Sequence, residues 1–241
     1  MSKSKKNTVD PQRIIETYGA DTARWFMLSD SPPERDVIWT EEGVQGSWRF
    51  VQRVWRLIQE IAEGTGPRGD MPQIGGKAED LRRATHKTLA AVTKDLEGLG
   101  FNRAVARIYE YVNQIGKAVN DDLNAPDMNY AVREAGEYLT QMMAPMMPHL
   151  AEECWIKLNL TGLIPDADWP EINDSLLVDD TVTLPIQING KKRGEITIAR
   201  DASKEAVEAA TLELDFVQRV LEGRAPRKII VVPQRIVNVV A

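Results

Sequence analysis

The chain has 241 residues, 43% of them hydrophobic, and a formal net charge of −6 with a pI near 5.2. This suffices for one large or two modest domains with ordinary cores, and it argues against a nonspecific nucleic-acid binder, which is basic overall. No apolar run approaches the roughly 20 residues that span a bilayer or reads as a signal-peptide core, and the single Cys154 excludes an internal disulfide or a cysteine zinc cluster, so a soluble protein of a reducing cytosol is expected.

The chain opens with MSKSKKN, in which Lys3, Lys5 and Lys6 alternate with Ser2, Ser4 and Asn7. Flexible ammonium groups and short side chains that let the backbone approach suit a polyphosphate; a solvated basic tail is the plainer reading. Asp10-Pro11 is a strong helix start, Gly19 stops that helix, and a second is predicted over about 21–28. Pro32-Pro33 forces a turn. Thr40 begins a long third helix, where Val44, Trp48, Val51, Trp55, Ile58 and Ala62 recur at spacings of four and three and are expected to form its buried stripe. Arg49, Arg53 and Arg56 share another face. A loop rich in glycine and proline fills 63–76. The fourth helix turns Leu81, Leu89, Val92 and Leu96 inward. Asn102 is expected to cap the fifth, which carries Val105, Ile108, Val112, Ile115 and Val119. A sixth helix is predicted over 130–143, and Pro148 opens a seventh with Leu150, Ala151, Trp155 and Leu158.

Beyond residue 161 the helical period disappears. Val182, Leu184, Ile186 and Ile188 then alternate with polar residues up to Asn189-Gly190, a two-residue hairpin turn, and Ile196 and Ile198 continue the returning strand. Residues 203–221 read as helix interrupted near Asp215, followed by strands over 229–232 and 236–240. The expected fold is mainly α: an antiparallel helical bundle followed by a small α+β domain. The expected division is 1–39 for the lysine-rich loop and connecting helices, 40–165 for the bundle, 166–180 for a linker and 181–241 for the small domain. No alternation of strands and helices builds a doubly wound nucleotide-binding sheet.

MSKS, Asn7, Val9-Asp10-Pro11 and Tyr18-Gly19-Ala20-Asp21 with Arg24 resemble the stretch around the Lys-Met-Ser-Lys-Ser signature of class I aminoacyl-tRNA synthetases. Pro32-Pro33-Glu34-Arg35-Asp36, Trp39, Gly43, Gly46 and Arg49-Phe50 are similar to the leucine branch of bacterial type, PHLAEECW at 148–155 to a helix these relatives share, and residues 186–196 and 228–240 to the small C-terminal domain of the leucine branch. The signature's leading lysine is missing because the chain starts at its methionine, as expected of a fragment cut there. The resemblance implies a leucine–tRNA ligase that activates leucine with ATP and Mg2+ and charges tRNA(Leu). It makes Lys3 the catalytic cation facing the departing pyrophosphate, with Ser2 and Ser4 beside it at the ATP. Lys5 and Lys6 are lesser candidates. It also implies a helical bundle homologous to anticodon-binding domains and a small domain that reaches the outer corner of tRNA. Candidate tRNA contacts are Arg49, Arg53 and Arg56, then Lys191, Lys192 and Arg193 at the hairpin tip, and Arg224, Arg227 and Lys228. Arg82, Arg83 and Lys87 are weaker ones. An ordinary solvated face is the alternative for each.

The catalytic nucleotide-binding domain, the histidine-containing signature and the editing domain of that family are absent from this sequence, so the chain alone is expected to be inactive, cytoplasmic and monomeric. Two rivals stay open: a stand-alone tRNA-binding module derived from a synthetase, and a helical interaction protein with no RNA role. Trp48 and Trp55 read as core rather than as stacking platforms. His149, Glu152, Glu153 and Cys154 read as capping and packing rather than a metal site. His86 carries no constellation, and no metal ligand set is expected.

Overall fold

The computed structural model describes residues 10–29, 31, 32, 34–178 and 181–240, in two compact units divided between Leu177 and Val178. Ser2, Lys3, Ser4, Lys5 and Lys6 lie outside the described residues. The first unit contains helices α1 (Pro11–Tyr18), α2 (Ala20–Ser29), α3 (Glu41–Gly64), α4 (Gly76–Glu97), α5 (Phe101–Ala118), α6 (Pro126–Met143) and α7 (Pro148–Lys157). As expected, the Asp10 carboxylate accepts the Gln12 N–H at 3.1 Å, Pro11 takes the first helical position, and Gly19 ends α1 at φ 85°. Thr40 caps α3 through its hydroxyl, which accepts the Gly43 N–H at 3.3 Å.

The buried face of α3 differs from the expected stripe. Val44 and Ile58 are buried, but the core side is completed by Ser47, Phe50, Val54, Leu57 and Ile61. Val51, Trp55 and Ala62 flank it, and Trp48 is 40% exposed. An aromatic cluster explains the rotation. Phe50 stacks on Trp25 of α2 with centroids 5.1 Å apart and lies 4.0 Å from the Tyr109 ring of α5. Trp25 also donates its indole N–H to the Tyr109 hydroxyl at 3.1 Å. Placing Phe50 in that cluster turns Trp48, two residues away, toward solvent.

Two helix starts also differ. α5 begins at Phe101 after Gly100, so Asn102 lies inside the first turn and caps nothing. The preceding turn closes instead through Asp95, which accepts the Gly100 N–H on its backbone and the Arg103 and Arg107 guanidinium groups on its carboxylate. α6 begins at Pro126, earlier than expected, with proline at the first helical position.

Residues past α7 are fastened to the bundle. Gln141 donates to the Asp168 carbonyl at 2.8 Å, the Trp169 indole N–H to Thr93 Oγ1 at 2.9 Å, and the Asn173 N–H to His86 Nδ1 at 3.1 Å. Ile164 and Leu176 are buried. The stretch expected as a linker thus begins as a docked strap.

The second unit is a four-stranded sheet, β1 (Thr181–Ile188), β2 (Lys191–Ala199), β3 (Lys228–Val232) and β4 (Ile236–Val240), in the order β2-β1-β4-β3. Two helices, α8 (Lys204–Leu212) and α9 (Asp215–Leu221), join β2 to β3. Val207, Val217 and Leu221 form a core with Leu184, Ile186, Ile188, Val237 and Val239. Asn189 and Gly190 both take positive φ, 50° and 80°, as the β1–β2 hairpin requires. Ile186 pairs with Gly194 but Gln187 with Lys192, leaving Arg193 as the extra residue of a bulge. A Cβ on Gly194 would stand 2.5 Å from the Phe216 ring. Gly194→Ala is therefore expected to cost the small unit about 1–3 kcal/mol by overpacking. Calorimetry should show its midpoint falling by roughly 4–8 °C per kcal/mol, while the helical unit's transition stays in place.

Candidate nucleic-acid interface

In a chain of net charge −6, phosphate recognition depends on where exposed cations gather. One gathering lies on α3. Arg49, Arg53 and Arg56 are all exposed. Arg53 and Arg56 line a groove of about 590 Å³ between α3 and α5, with Glu60 on their own helix and Asn113, Gly116 and Lys117 opposite. A Cβ on Gly116 would stand 3.8 Å from an Arg53 guanidinium nitrogen, an ordinary contact distance, so Arg53 reaches α5 at this residue. Asn113 and Lys117 escaped the sequence reading; their signal is the spacing of four on the polar side of α5.

A second gathering lies at one end of the small sheet, and strand topology creates it. Ile188 pairs with Lys191 on one side and, in parallel, with Val239 on the other. Val240 pairs with Lys228. The hairpin tip and the start of β3 therefore share an end, bringing Lys191, Lys192 and Arg193 to the same end of the sheet as Arg227 and Lys228, on its two outer strands, all exposed. Arg224 precedes them in the connecting loop. Lys192 lies 3.5 Å from Glu195 and Arg224 3.2 Å from Glu222, exposed pairs that leave the cations open to competition by phosphate.

A third group of cations points inward. Arg82, 8% exposed, holds Glu134 with two hydrogen bonds, 2.7 and 3.1 Å. Arg68 and Arg133 each donate to Glu137 at 2.7 Å, and Arg133 also bonds the Leu158 carbonyl. The faces of Tyr130 and Tyr138 lie within 6 Å of the Arg68 guanidinium. Arg82 is thus a core residue, and the weak expectation of a tRNA contact there is corrected. Burial alone would push the Glu134 carboxyl up, but the His86 ring and the Arg82 guanidinium facing it hold it below the usual range. His86, read as isolated, belongs here: its Nδ1 takes the Asn173 N–H, while its Nε2 faces Glu134 at 3.8 Å and has no hydrogen-bond partner among the described residues.

The residues around His149 pack and cap. His149 Nδ1 lies 3.3 Å from Asp21, and Glu152 accepts the Ile164 N–H at 3.1 Å. Cys154 is fully buried, with its thiol pushed up to about 12 by burial and the neighbouring Glu153 charge, so it is a packing residue and not a nucleophile. The exposed Trp48 is a correction to its expected core place, whereas Trp55 is half-buried.

Residues 79–208 match the family of the anticodon-binding domain of tRNA ligase, and residues 1–40 match tRNA synthetases class I (I, L, M and V). Along its whole length the chain is 59% identical to a leucine–tRNA ligase of Methylocella silvestris and 56% identical to one of Mesorhizobium japonicum, spanning 28% of the length of each. Among solved structures it is similar to the ternary complex of Agrobacterium radiobacter K84 agnB2 LeuRS-tRNA-LeuAMS, with a TM-score of 0.78 and 27% identity over 100% of this chain and 30% of that one. The apo form of Mycobacterium tuberculosis methionyl-tRNA synthetase shares the fold at a TM-score of 0.53 and 16% identity, over 64% of this chain and 35% of that one.

Proposed function

The chain belongs to the family of anticodon-binding domains of tRNA ligases, and on that premise we propose that it forms the tRNA-holding part of a leucine–tRNA ligase. The observation that carries the reading is the gathering of exposed cations at two places, the α3–α5 groove and one end of the small sheet, in an otherwise acidic chain. Arg49, Arg53, Arg56 and Lys117 meet phosphates of a tRNA stem. Lys191, Lys192, Arg193, Arg224, Arg227 and Lys228 meet the tRNA at a second point. Phosphate contacts of this kind set orientation and register and carry no base identity. The partner is tRNA(Leu), in keeping with the leucine–tRNA ligases that match the whole chain.

The MSKS segment serves ATP and its Mg2+ in the complete ligase, with Ser2 and Ser4 bringing the backbone close and Lys3 countering the charge that grows on pyrophosphate. Residues 1–39 carry this segment, residues 40–165 and 181–241 hold the tRNA, and residues 166–180 connect them. The complete ligase works as a cytoplasmic monomer, and leucine activation needs a nucleotide-binding fold beyond these residues.

Arg53→Gln is the direct test. Affinity for tRNA(Leu) is expected to fall about fivefold at moderate salt, and the log–log dependence on salt to flatten by about one unit, as removal of a single phosphate contact requires. Unchanged affinity and slope for Arg53→Gln and for Lys192→Gln together would refute the reading.

A further inference from the structure

Helix α7 starts without a cap of its own. Met147 stands at the cap position, Pro148 follows, and neither makes a side-chain bond to the free N–H groups of the first turn. The acceptor comes from α2. The Leu150 N–H donates to Asp21 Oδ2 at 2.7 Å, across 129 positions of sequence. The other carboxylate oxygen accepts from Arg24 at 2.8 Å and faces His149 Nδ1 at 3.3 Å. Asp21 is only 6% exposed, whereas Arg24 and His149 reach solvent. A carboxylate there satisfies an orphan donor and meets the positive end of the α7 dipole.

The two ends of this bond lie in different parts of the chain: Asp21 in the stretch matched to class I synthetases, Leu150 in the stretch matched to anticodon-binding domains. Trp25 and Phe26 anchor α2 on α3 and α5, whereas this bond is its polar tie to α7. α1 has no buried residue and is tied to α3 by the hydrogen bond from the Tyr18 hydroxyl to Glu41. α2 supplies Trp25 and Phe26 to the packing and Asp21 to the polar contact.

We propose that Asp21 is a positioning residue for leucine activation: by capping α7 it locks the α1–α2 segment, which follows Lys3 in the sequence, onto the tRNA-holding bundle. The inference deepens the role given to Lys3 above and rests on it.

The test installs this chain in place of the matching stretch of the Methylocella silvestris ligase and compares Asp21→Ala with Asp21→Asn. Asparagine keeps an oxygen for the Leu150 N–H; alanine does not. Asp21→Ala is expected to lower kcat for leucine-dependent ATP–pyrophosphate exchange about tenfold, the scale of a displaced catalytic group. The KM for leucine and the Kd for tRNA(Leu) should stay within about twofold, and exchange of the Leu150 amide should quicken. Asp21→Asn should restore kcat to within about threefold of the unsubstituted protein. A normal kcat in Asp21→Ala, with the Leu150 amide exchanging faster, would overturn the proposal alone. So would a parallel loss of kcat and tRNA affinity that asparagine does not rescue, the mark of general destabilisation. An unsubstituted chimera without exchange activity would overturn the reading of Lys3 and this inference with it.

Discussion

Glu134→Ala is expected to lower the unfolding free energy of the helical unit by about 3–5 kcal/mol, because it strands a buried charge rather than merely removing a contact. Arg82 would lose both of its 2.7 and 3.1 Å bonds while staying inside the bundle. Arg68, 3.6 Å from Glu134, would keep only Glu137. Urea unfolding followed by circular dichroism measures the loss. Replacing both partners, Arg82→Met with Glu134→Leu, should recover most of it, since a well-packed apolar pair needs no compensation. A double variant as unstable as Glu134→Ala would show that the ion pair itself holds the bundle. The pH dependence has a definite sign. The folded carboxyl sits below its usual 4.5, so its contribution is complete above that value and fades as pH falls through the lower folded value. Asp95 acts in the same direction: burial opposes its ionisation, but Arg107 and Arg103 more than offset that. The acid limb of stability below about pH 4.5 should therefore be steep, and shallower in Glu134→Gln.

Lys3→Ala in a complete ligase carrying this chain is expected to slow leucine-dependent ATP–pyrophosphate exchange about 100-fold or more, the loss typical of one charge partner that acts mainly in the transition state. The effect should fall on kcat more than on KM, because the charge on the departing pyrophosphate develops during the reaction. tRNA(Leu) affinity should not change, since Lys3 is not among the tRNA-holding cations. The chain by itself, given ATP, Mg2+ and leucine, should show no exchange above background. Exchange by the isolated chain, or a Lys3→Ala ligase with normal kcat, would refute the assignment.

Local chemistry was the legible part of this fold. Asp10-Pro11, Thr40 and Asn189-Gly190 act through bonds within a few residues, and each behaves as its residue types dictate. The face of α3 was not legible in the same way, because two overlapping apolar stripes fit the helical period. Trp48, Val51 and Trp55 form one, and Phe50, Val54, Leu57 and Ile61 the other. Contact with Trp25 and Tyr109, distant in sequence, decides between them. The buried ion network was hidden for a related reason. Arg82 and His86 are polar residues in register with Leu89, Glu134 stands beside the buried Ala135, and periodicity counts polar residues as surface. Of the candidate interface, the basic residues themselves were readable. Their convergence at one end of the sheet was not, because it depends on the parallel pairing of β1 with β4.

That parallel pairing also orders events in time. The β1–β2 and β3–β4 hairpins are local structures that close in microseconds, whereas pairing β1 with β4 must join Ile186 to Val237 across the whole unit, a slower step. Lys191, Lys192 and Arg193 ride on the β1–β2 hairpin; Arg227 and Lys228 join them only when the sheet closes. A small unit whose sheet has not closed therefore holds only the three cations of the hairpin at that end.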